Sequence, residues 1–408
     1  MDIKNFSIKG IDVCLCESDK FNSVSICLVK RVPLKRETVS PYALIPRVLS
    51  RAGSTHPSLR AINAYLEELG GAEFVPQAIK KGEEQIISLY LTAPKEHTGR
   101  LFEFLSTIFY SPLVIDGGFM PSYVHNACSN AARDIAEKIN DKRSYAAERM
   151  IEIMCKDEPF GICGDGYIED FGDLSGKGLY TSYRELLDSG ITQLYIVGNI
   201  TQQEAESYIA NHFEQAASSA MQRSEGGTYT PHKPNICTEE SNTAQSCLVC
   251  GIRTCRIPHP QLLTACEVLG GSAASRLFSS VREEKGMCYY INSQLYRYKG
   301  IISVQAGINA DNAQTVVEML EKELASISKH GAHSRELERA KEGLISSLMG
   351  LEDSPRTLMD FMLSLSVAGE PFSVRKAIDD IAAVDSIKGV FDNAFIDTVY
   401  LLKEGANG

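Results

Sequence analysis

The sequence predicts an α+β fold made of two homologous halves, each with a mainly antiparallel sheet covered by helices. Three observations lead to this fold class. The chain has 408 residues, more than one hydrophobic core usually serves. Segments that alternate with the two-residue period of strands are interspersed with segments of helical periodicity. The order of strands, helices and glycine breaks seen in the first half also restarts in the second half.

We place the first half at residues 1–220, a linker at 221–238 and the second half at 239–408. The linker range contains Glu225-Gly226-Gly227, followed by prolines and a histidine. Clusters of this composition are typical of loops. Each remaining segment is long enough to bury a core of its own.

In the first half, runs of valine, isoleucine and cysteine predict strands, and amphipathic runs predict helices. The predicted strands span residues 6–16, 24–32, 72–77, 85–92 and 193–197. The predicted helices span residues 42–51, 58–69, 96–109, 121–155 and 201–215. Pro46 is expected to mark the start of the first helix or a kink in it. Gly70-Gly71 is expected to end the second helix.

The second half repeats this order after the linker. The predicted strands span residues 244–252, 289–298 and 301–308. The predicted helices span residues 261–269, a segment ending at 282, 312–329, 335–349 and 355–368. Gly270-Gly271 separates the first two of these helices, as Gly70-Gly71 follows a helix in the first half.

Composition restricts the classes of partner. The formal net charge of −11 argues against binding to nucleic acid or to an anionic membrane surface. No run of about 18 apolar residues occurs, so we expect no transmembrane helix. The first residues lack the basic and apolar regions of a signal peptide, and the twelve cysteines are expected to be reduced thiols. We therefore expect a cytoplasmic protein.

Three segments of the second half carry a family resemblance. Residues 269–272 read LGGS, residues 275–278 read SRLF and residues 281–289 read VREEKGMCY. Together they resemble a signature of the insulinase/pitrilysin family of inverzincin metallopeptidases. The segment 141–146, DKRSYA, is similar to a bacterial branch that lacks the zinc motif and resembles non-catalytic subunits of processing peptidases. The resemblance spans nearly the whole chain and implies a clamshell of such halves around a peptide chamber.

Active members of that family carry the motif His-x-x-Glu-His on the first helix, where two histidines on one face bind zinc. Gly53-Ser54-Thr55 resembles the segment that follows this helix in the family. Counting back from Gly53, the corresponding slot holds Leu44, Arg47 and Val48, and the slot of the third ligand falls near Ala132. None of these side chains binds zinc. No two of the eight histidines are four residues apart. We therefore expect no metal and no catalysis in this chain alone.

The resemblance also implies a role for Arg282 and Tyr289. In active relatives an arginine and a tyrosine seven residues apart hold the substrate backbone and stabilise the oxyanion. In some two-chain members, one subunit brings the zinc and the other brings this pair. The alternative is that Arg282 caps or ion-pairs a helix end while Tyr289 packs within a strand.

These observations lead to three functional hypotheses. In the first, the chain pairs with a zinc-bearing homologue, completes a peptide-processing chamber and supplies Arg282 and Tyr289 to it. Zinc is then expected only in the partner. In the second, the chain is a non-catalytic homodimer that binds peptides or supports assembly. In the third, it is a zinc endopeptidase whose displaced site uses His125, Asp134 and Glu137.

Overall fold

The computed structural model of the chain describes residues 2–217, 221, 229–241, 245–254 and 259–405. Two mainly antiparallel sheets packed against helices confirm the predicted α+β class. Glu225-Gly226-Gly227, in the predicted linker, lies outside the described residues. No helix within the described ranges is long and apolar enough to cross a membrane.

The first sheet has six strands in the order β1-β2-β6-β3-β5-β4. They are β1 (Asp2–Ile8), β2 (Ile11–Glu17), β3 (Ser23–Pro33), β4 (Glu73–Lys81), β5 (Glu84–Pro94) and β6 (Ile191–Gly198). Only the β2–β6 pair of this sheet is parallel. The single strand predicted at 6–16 is wrong: Lys9 and Gly10 both have positive φ and form a tight turn that makes β1 and β2 a hairpin.

The second sheet has the order β7-β11-β8-β10-β9. Its strands are β7 (Asn235–Ser241), β8 (Ser246–Arg253), β9 (Cys288–Tyr296), β10 (Ile301–Ile308) and β11 (Phe395–Glu404). This order and its single parallel pair, β7–β11, match the arrangement β2-β6-β3-β5-β4 of the first sheet. The repeated topology supports two homologous halves. Strand β7 begins inside the predicted linker range, and β11 was not predicted.

The helices were predicted less accurately than the sheets. In chain order they are α1 (Arg36–Leu49), α2 (Leu59–Glu68), α3 (Thr98–Tyr110), α4 (Pro121–Glu137), α5 (Lys142–Met154), α6 (Gly176–Leu187), α7 (Gln202–His212), α8 (His259–Cys266), α9 (Ala313–His330), α10 (Ser334–Met349), α11 (Pro355–Ala368) and α12 (Val374–Ala382). The helix predicted at 121–155 is two helices, because the Asp141 side chain accepts a hydrogen bond from the Ser144 N–H and caps a new start. Pro46 lies inside α1 and does not start it.

The chain folds into two compact units, each of which takes one segment from the other half of the sequence. One unit comprises residues 1–136, 162–223 and 351–372, and the other comprises 137–161, 224–350 and 373–408. Helix α11 consequently packs on β3 and β6, and α5 packs on β8 and β11. The division at 220 and 239 follows the sequence repeat and stays a prediction.

Lys30 on β3 is a buried cation in the first unit, with 1% of its surface exposed. Its ammonium donates hydrogen bonds to the Leu187 carbonyl at 3.0 Å, the Thr192 hydroxyl at 3.1 Å and the Ala217 carbonyl at 3.5 Å. Burial lowers the pKa of Lys30 to about 8, although the charge of Asp188 opposes the shift. The charged form is therefore destabilised by folding.

In the wild-type chain, Lys30 is expected to make the free energy of unfolding rise with pH. We expect the Lys30→Met variant to lack this rise. Between the folded pKa of about 8 and the ordinary value of 10.5, the unfolded chain binds more protons at this lysine. Lys30 therefore adds stability as pH rises through that window, by up to about 1.4 kcal/mol per pH unit. Thermal unfolding of wild type and variant from pH 7 to 10 measures the difference. If the stability of both proteins changed with pH in the same way, the prediction would be contradicted. The matched control is Lys177→Met, which removes an exposed lysine.

Candidate functional site

One face of α1 lines a cavity, while another face is buried in the core of the first unit. The cavity is lined by Ala43, Pro46 and Arg47 of α1 and by Ser50 and Arg51, which directly follow the helix. These positions follow the spacing of a single helical stripe. Leu44 and Val48 are 0% and 3% exposed and belong to the apolar core. Two of the three positions counted back from Gly53 therefore point away from the cavity.

The cavity residues of α1 are offset by one position from the degenerate zinc slot counted from Gly53, and that slot stays a prediction. A His-x-x-Glu-His motif facing the cavity would occupy positions 43, 46 and 47, where this chain has Ala43, Pro46 and Arg47. The count from Gly53 placed it at Leu44, Arg47 and Val48. In either register Arg47 is a motif residue and no position offers a zinc ligand. The residues present do not fit a zinc ion.

Helix α4 forms another wall of this cavity. Ala127 and Asn130 line it, and the Asp134 carboxylate accepts a hydrogen bond from Arg47 Nη1 at 2.8 Å. Ala132 instead packs against the hydrophobic core, on a different face of α4. Strand β4 closes the cavity, whose volume is about 300 Å³. A guanidinium–carboxylate pair thus stands beside this cavity, and its Arg47 is one of the three residues of the counted zinc slot.

The displaced zinc site is not supported by these positions. His125 is nine residues before Asp134 on α4, which places the two side chains on opposite sides of the helix. The Asp134 carboxylate is already paired with Arg47. Within the described ranges, no group of three or more histidine, cysteine, aspartate or glutamate side chains could hold a metal ion.

In the second unit, the segment with the family resemblance contains two π-helical stretches, Glu267–Gly271 and Phe278–Glu284. Such segments are rare and are often found at functional sites. Arg276 anchors this region. Its guanidinium donates to the Glu336 carboxylate at 2.9 and 3.1 Å and to the Gly331 carbonyl at 2.9 Å. The backbone that carries Arg282 is therefore held from one side by a partly buried ion pair.

Tyr289 is the extra residue of a β-bulge. Strand β10 pairs Gly307 with Tyr290 and Ile308 with Cys288, so Tyr289 has no partner residue opposite it. Its side chain is 73% exposed, whereas Cys288 on the same strand is buried. Bulges bend a strand and re-aim side chains, often beside active sites. The bulge explains why a tyrosine within a sheet faces outward.

The next residue, Tyr290, is clamped in place. Its hydroxyl lies 3.2 Å from the Cys247 thiol, and the Arg143 guanidinium lies 3.6 Å from its ring centroid. A Cβ at Gly307 would come within 2.3 Å of the ring, so only glycine leaves room for it. These contacts fix the strand immediately after Tyr289.

Arg282 lies near this bulge on the last π-helical turn. Its guanidinium lies 4.7 Å from the Phe278 ring centroid. Burial raises the pKa of the Cys288 thiol, and the charge of Arg282 partly offsets that rise. The Arg282 side chain makes no ion pair or hydrogen bond within the described part of the chain. Of the alternative in which Arg282 caps or ion-pairs a helix end and Tyr289 packs in a strand, the described residues show no ion pair; Arg282 does lie in the last turn of a helical segment and Tyr289 in β9, so the alternative stays open.

The comparisons with known proteins agree with the resemblance. Residues 173–344 match the family described as the Peptidase M16 inactive domain. A Bacillus subtilis protein named "Probable inactive metalloprotease YmfF" is 26% identical over 98% of this chain and 97% of its own length. Another Bacillus subtilis protein, "Uncharacterized zinc protease YmxG", is 35% identical over 28% of this chain and 29% of its own.

Solved structures share the fold over the full chain. A conserved protein from Enterococcus faecalis superposes with a TM-score of 0.88 at 19% identity, covering 100% of both chains. A peptidase M16 inactive domain from Pseudomonas fluorescens gives a TM-score of 0.81 at 15% identity, covering 100% of this chain and 99% of that one. The predicted family resemblance is confirmed.

Proposed function

This chain is a metalloprotease-like protein of the M16 type, and from that premise we propose that it is a non-catalytic subunit of a peptidase. In this proposal it pairs with a homologue that carries the zinc motif and completes a chamber for peptides. The chain supplies Arg282 and Tyr289 to the partner's zinc site. Zinc is bound by the partner only.

The exposure of the Arg282–Tyr289 region carries the proposal. A bulge directs Tyr289 outward, and Arg282 has no carboxylate partner in the described structure. Both side chains are therefore available to a group outside the chain. Their supporting backbone is held by the Arg276–Glu336 ion pair and by the Tyr290 clamp. Rigid placement of this kind is needed for hydrogen-bond donors that act in catalysis.

The chemistry of the pair fits stabilisation of an oxyanion. A guanidinium is always charged and offers several N–H donors, and a phenol offers one O–H donor. Both can donate to a peptide carbonyl oxygen as negative charge develops on it. Removing one such donor typically costs about 10²–10³ in kcat. The cavity at α1 offers no comparable chemistry, because Ala43, Pro46 and Arg47 supply neither a metal nor a base.

The test uses the purified chain together with a homologue from the same organism that carries His-x-x-Glu-His. We expect no cleavage of an internally quenched peptide by this chain alone and cleavage by the mixture. Arg282→Ala and Tyr289→Phe should each lower kcat of the mixture by about 10²–10³, because each removes a donor to the oxyanion. Size-exclusion chromatography confirms that each variant still forms the complex.

Arg339→Ala is the matched control, because Arg339 is an exposed arginine on α10 of the same unit. It should leave kcat within about twofold of wild type. Full turnover by the Arg282→Ala and Tyr289→Phe complexes would leave only a structural or peptide-binding role. A stable homodimer that binds peptide and never associates with the homologue would favour the second hypothesis.

A further inference from the structure

We infer that the cavity between α1, α4 and β4 binds a carboxylate group. The ligand is a peptide C-terminus or a small free carboxylic acid. This inference goes beyond the proposed function and does not depend on Arg282 or Tyr289. It concerns the first unit alone.

Two arginines provide the first argument. Arg47 on α1 and Arg51, two residues beyond the end of that helix, both line the cavity. Arg47 is neutralised by Asp134 at 2.8 Å. Arg51 is partly buried, and within the described ranges it forms no ion pair or hydrogen bond through its side chain. A partly buried guanidinium without a counter-charge favours binding of an anion.

Two neutral amides provide the second argument. Asn130 on α4 and Gln77 on β4 line the same cavity. Neither side chain makes a hydrogen bond within the part of the chain that the structure describes. Each carries two N–H donors. The Arg51 guanidinium and the Asn130 and Gln77 amides therefore line one cavity and together offer it hydrogen-bond donors for one anionic group.

The size and charge of the cavity identify the kind of anion. The planar guanidinium fork of Arg51 matches the two oxygens of a carboxylate. Asp165 also lines the cavity and has an interaction of its own, so the anion is expected to bind on the Arg51 side. A volume of about 300 Å³ lies at the lower end of small-molecule sites and suits one end of a ligand.

Isothermal titration of the full chain with three probes tests the inference. The probes are N-acetyl-dialanine with a free C-terminus, the same peptide with a C-terminal amide, and acetate. We expect the free acid to bind at least tenfold more tightly than the amide. Acetate binding as tightly as the peptide acid would identify a site for small acids. Weaker acetate binding would identify a site for a peptide C-terminus.

Variants of Arg51 complete the test. Arg51→Gln should weaken binding of the free acid at least tenfold, and Arg51→Lys should lie between wild type and Arg51→Gln, because it keeps the charge and loses the fork. The control is Arg60→Gln, which removes an exposed arginine from α2 of the same unit. Equal binding of acid and amide, no binding of any probe, or wild-type affinity in a folded Arg51→Gln variant would each overturn the inference.

Discussion

Replacing Arg253 by methionine is expected to destabilise the second unit by about 3–5 kcal/mol, because it removes the cation that pairs with the buried Asp397 carboxylate and one of the cations that pair with Glu158. Arg253 ends β8 and is 4% exposed. Its guanidinium donates to Asp397 at 2.8 Å, to Glu158 at 2.7 Å and to the Met154 carbonyl at 3.0 Å. Burial alone would raise the pKa of Glu158, but Lys299, Tyr229 and Arg253 outweigh it and hold that pKa below its ordinary value.

Amide hydrogen exchange of β8, β10 and β11 measures this loss locally, which avoids assuming that a chain of two units unfolds in one step. The control is Arg335→Met, since Arg335 is an exposed arginine on α10 of the same unit. It should change stability by no more than about 0.5 kcal/mol. Protection in Arg253→Met within 1 kcal/mol of wild type would show that the network contributes far less than its geometry indicates.

The combined substitutions Ala43→His, Pro46→Glu, Arg47→His and Asn130→Glu are expected to create a chain that binds about one zinc ion per molecule. All four positions line the α1 cavity. The first and third are one helical turn apart on the same face, as two zinc-binding imidazoles must be. Replacing Pro46 also restores a backbone N–H inside the helix. Elemental analysis after dialysis, with isothermal titration of zinc, measures the gain.

The substitutions at the positions counted from Gly53 are the matched comparison. Leu44→His, Arg47→Glu and Val48→His place two imidazoles in the apolar core, where Leu44 and Val48 are almost fully buried. We expect a loss of more than about 3 kcal/mol of stability and no bound zinc. Circular dichroism follows the stability. Zinc bound by this variant and not by the cavity variant would show that the slot lies at the counted positions.

The helical phase of α1 could have been obtained from the sequence with more attention to periodicity. Residues 44, 45, 48 and 49 are all apolar and share one side of a helix, which indicates the buried face. The count from Gly53, which gave Leu44, Arg47 and Val48, did not use this periodicity, and the slot it gives stays a prediction. The cavity residues Arg51, Asn130 and Gln77 carried no comparable signal. They lie far apart in the sequence and meet only through packing of α1, α4 and β4.

By itself the sequence determined the α+β class, the family resemblance and the absence of the zinc motif, because these depend on residue identity and on local periodicity. Tertiary structure alone decided which segment of each sequence half belongs to the other unit and which face of α1 lines the cavity. It also decided that Tyr289 points outward. A bulge depends on the register between two strands, and register is set by long-range pairing of β9 with β10.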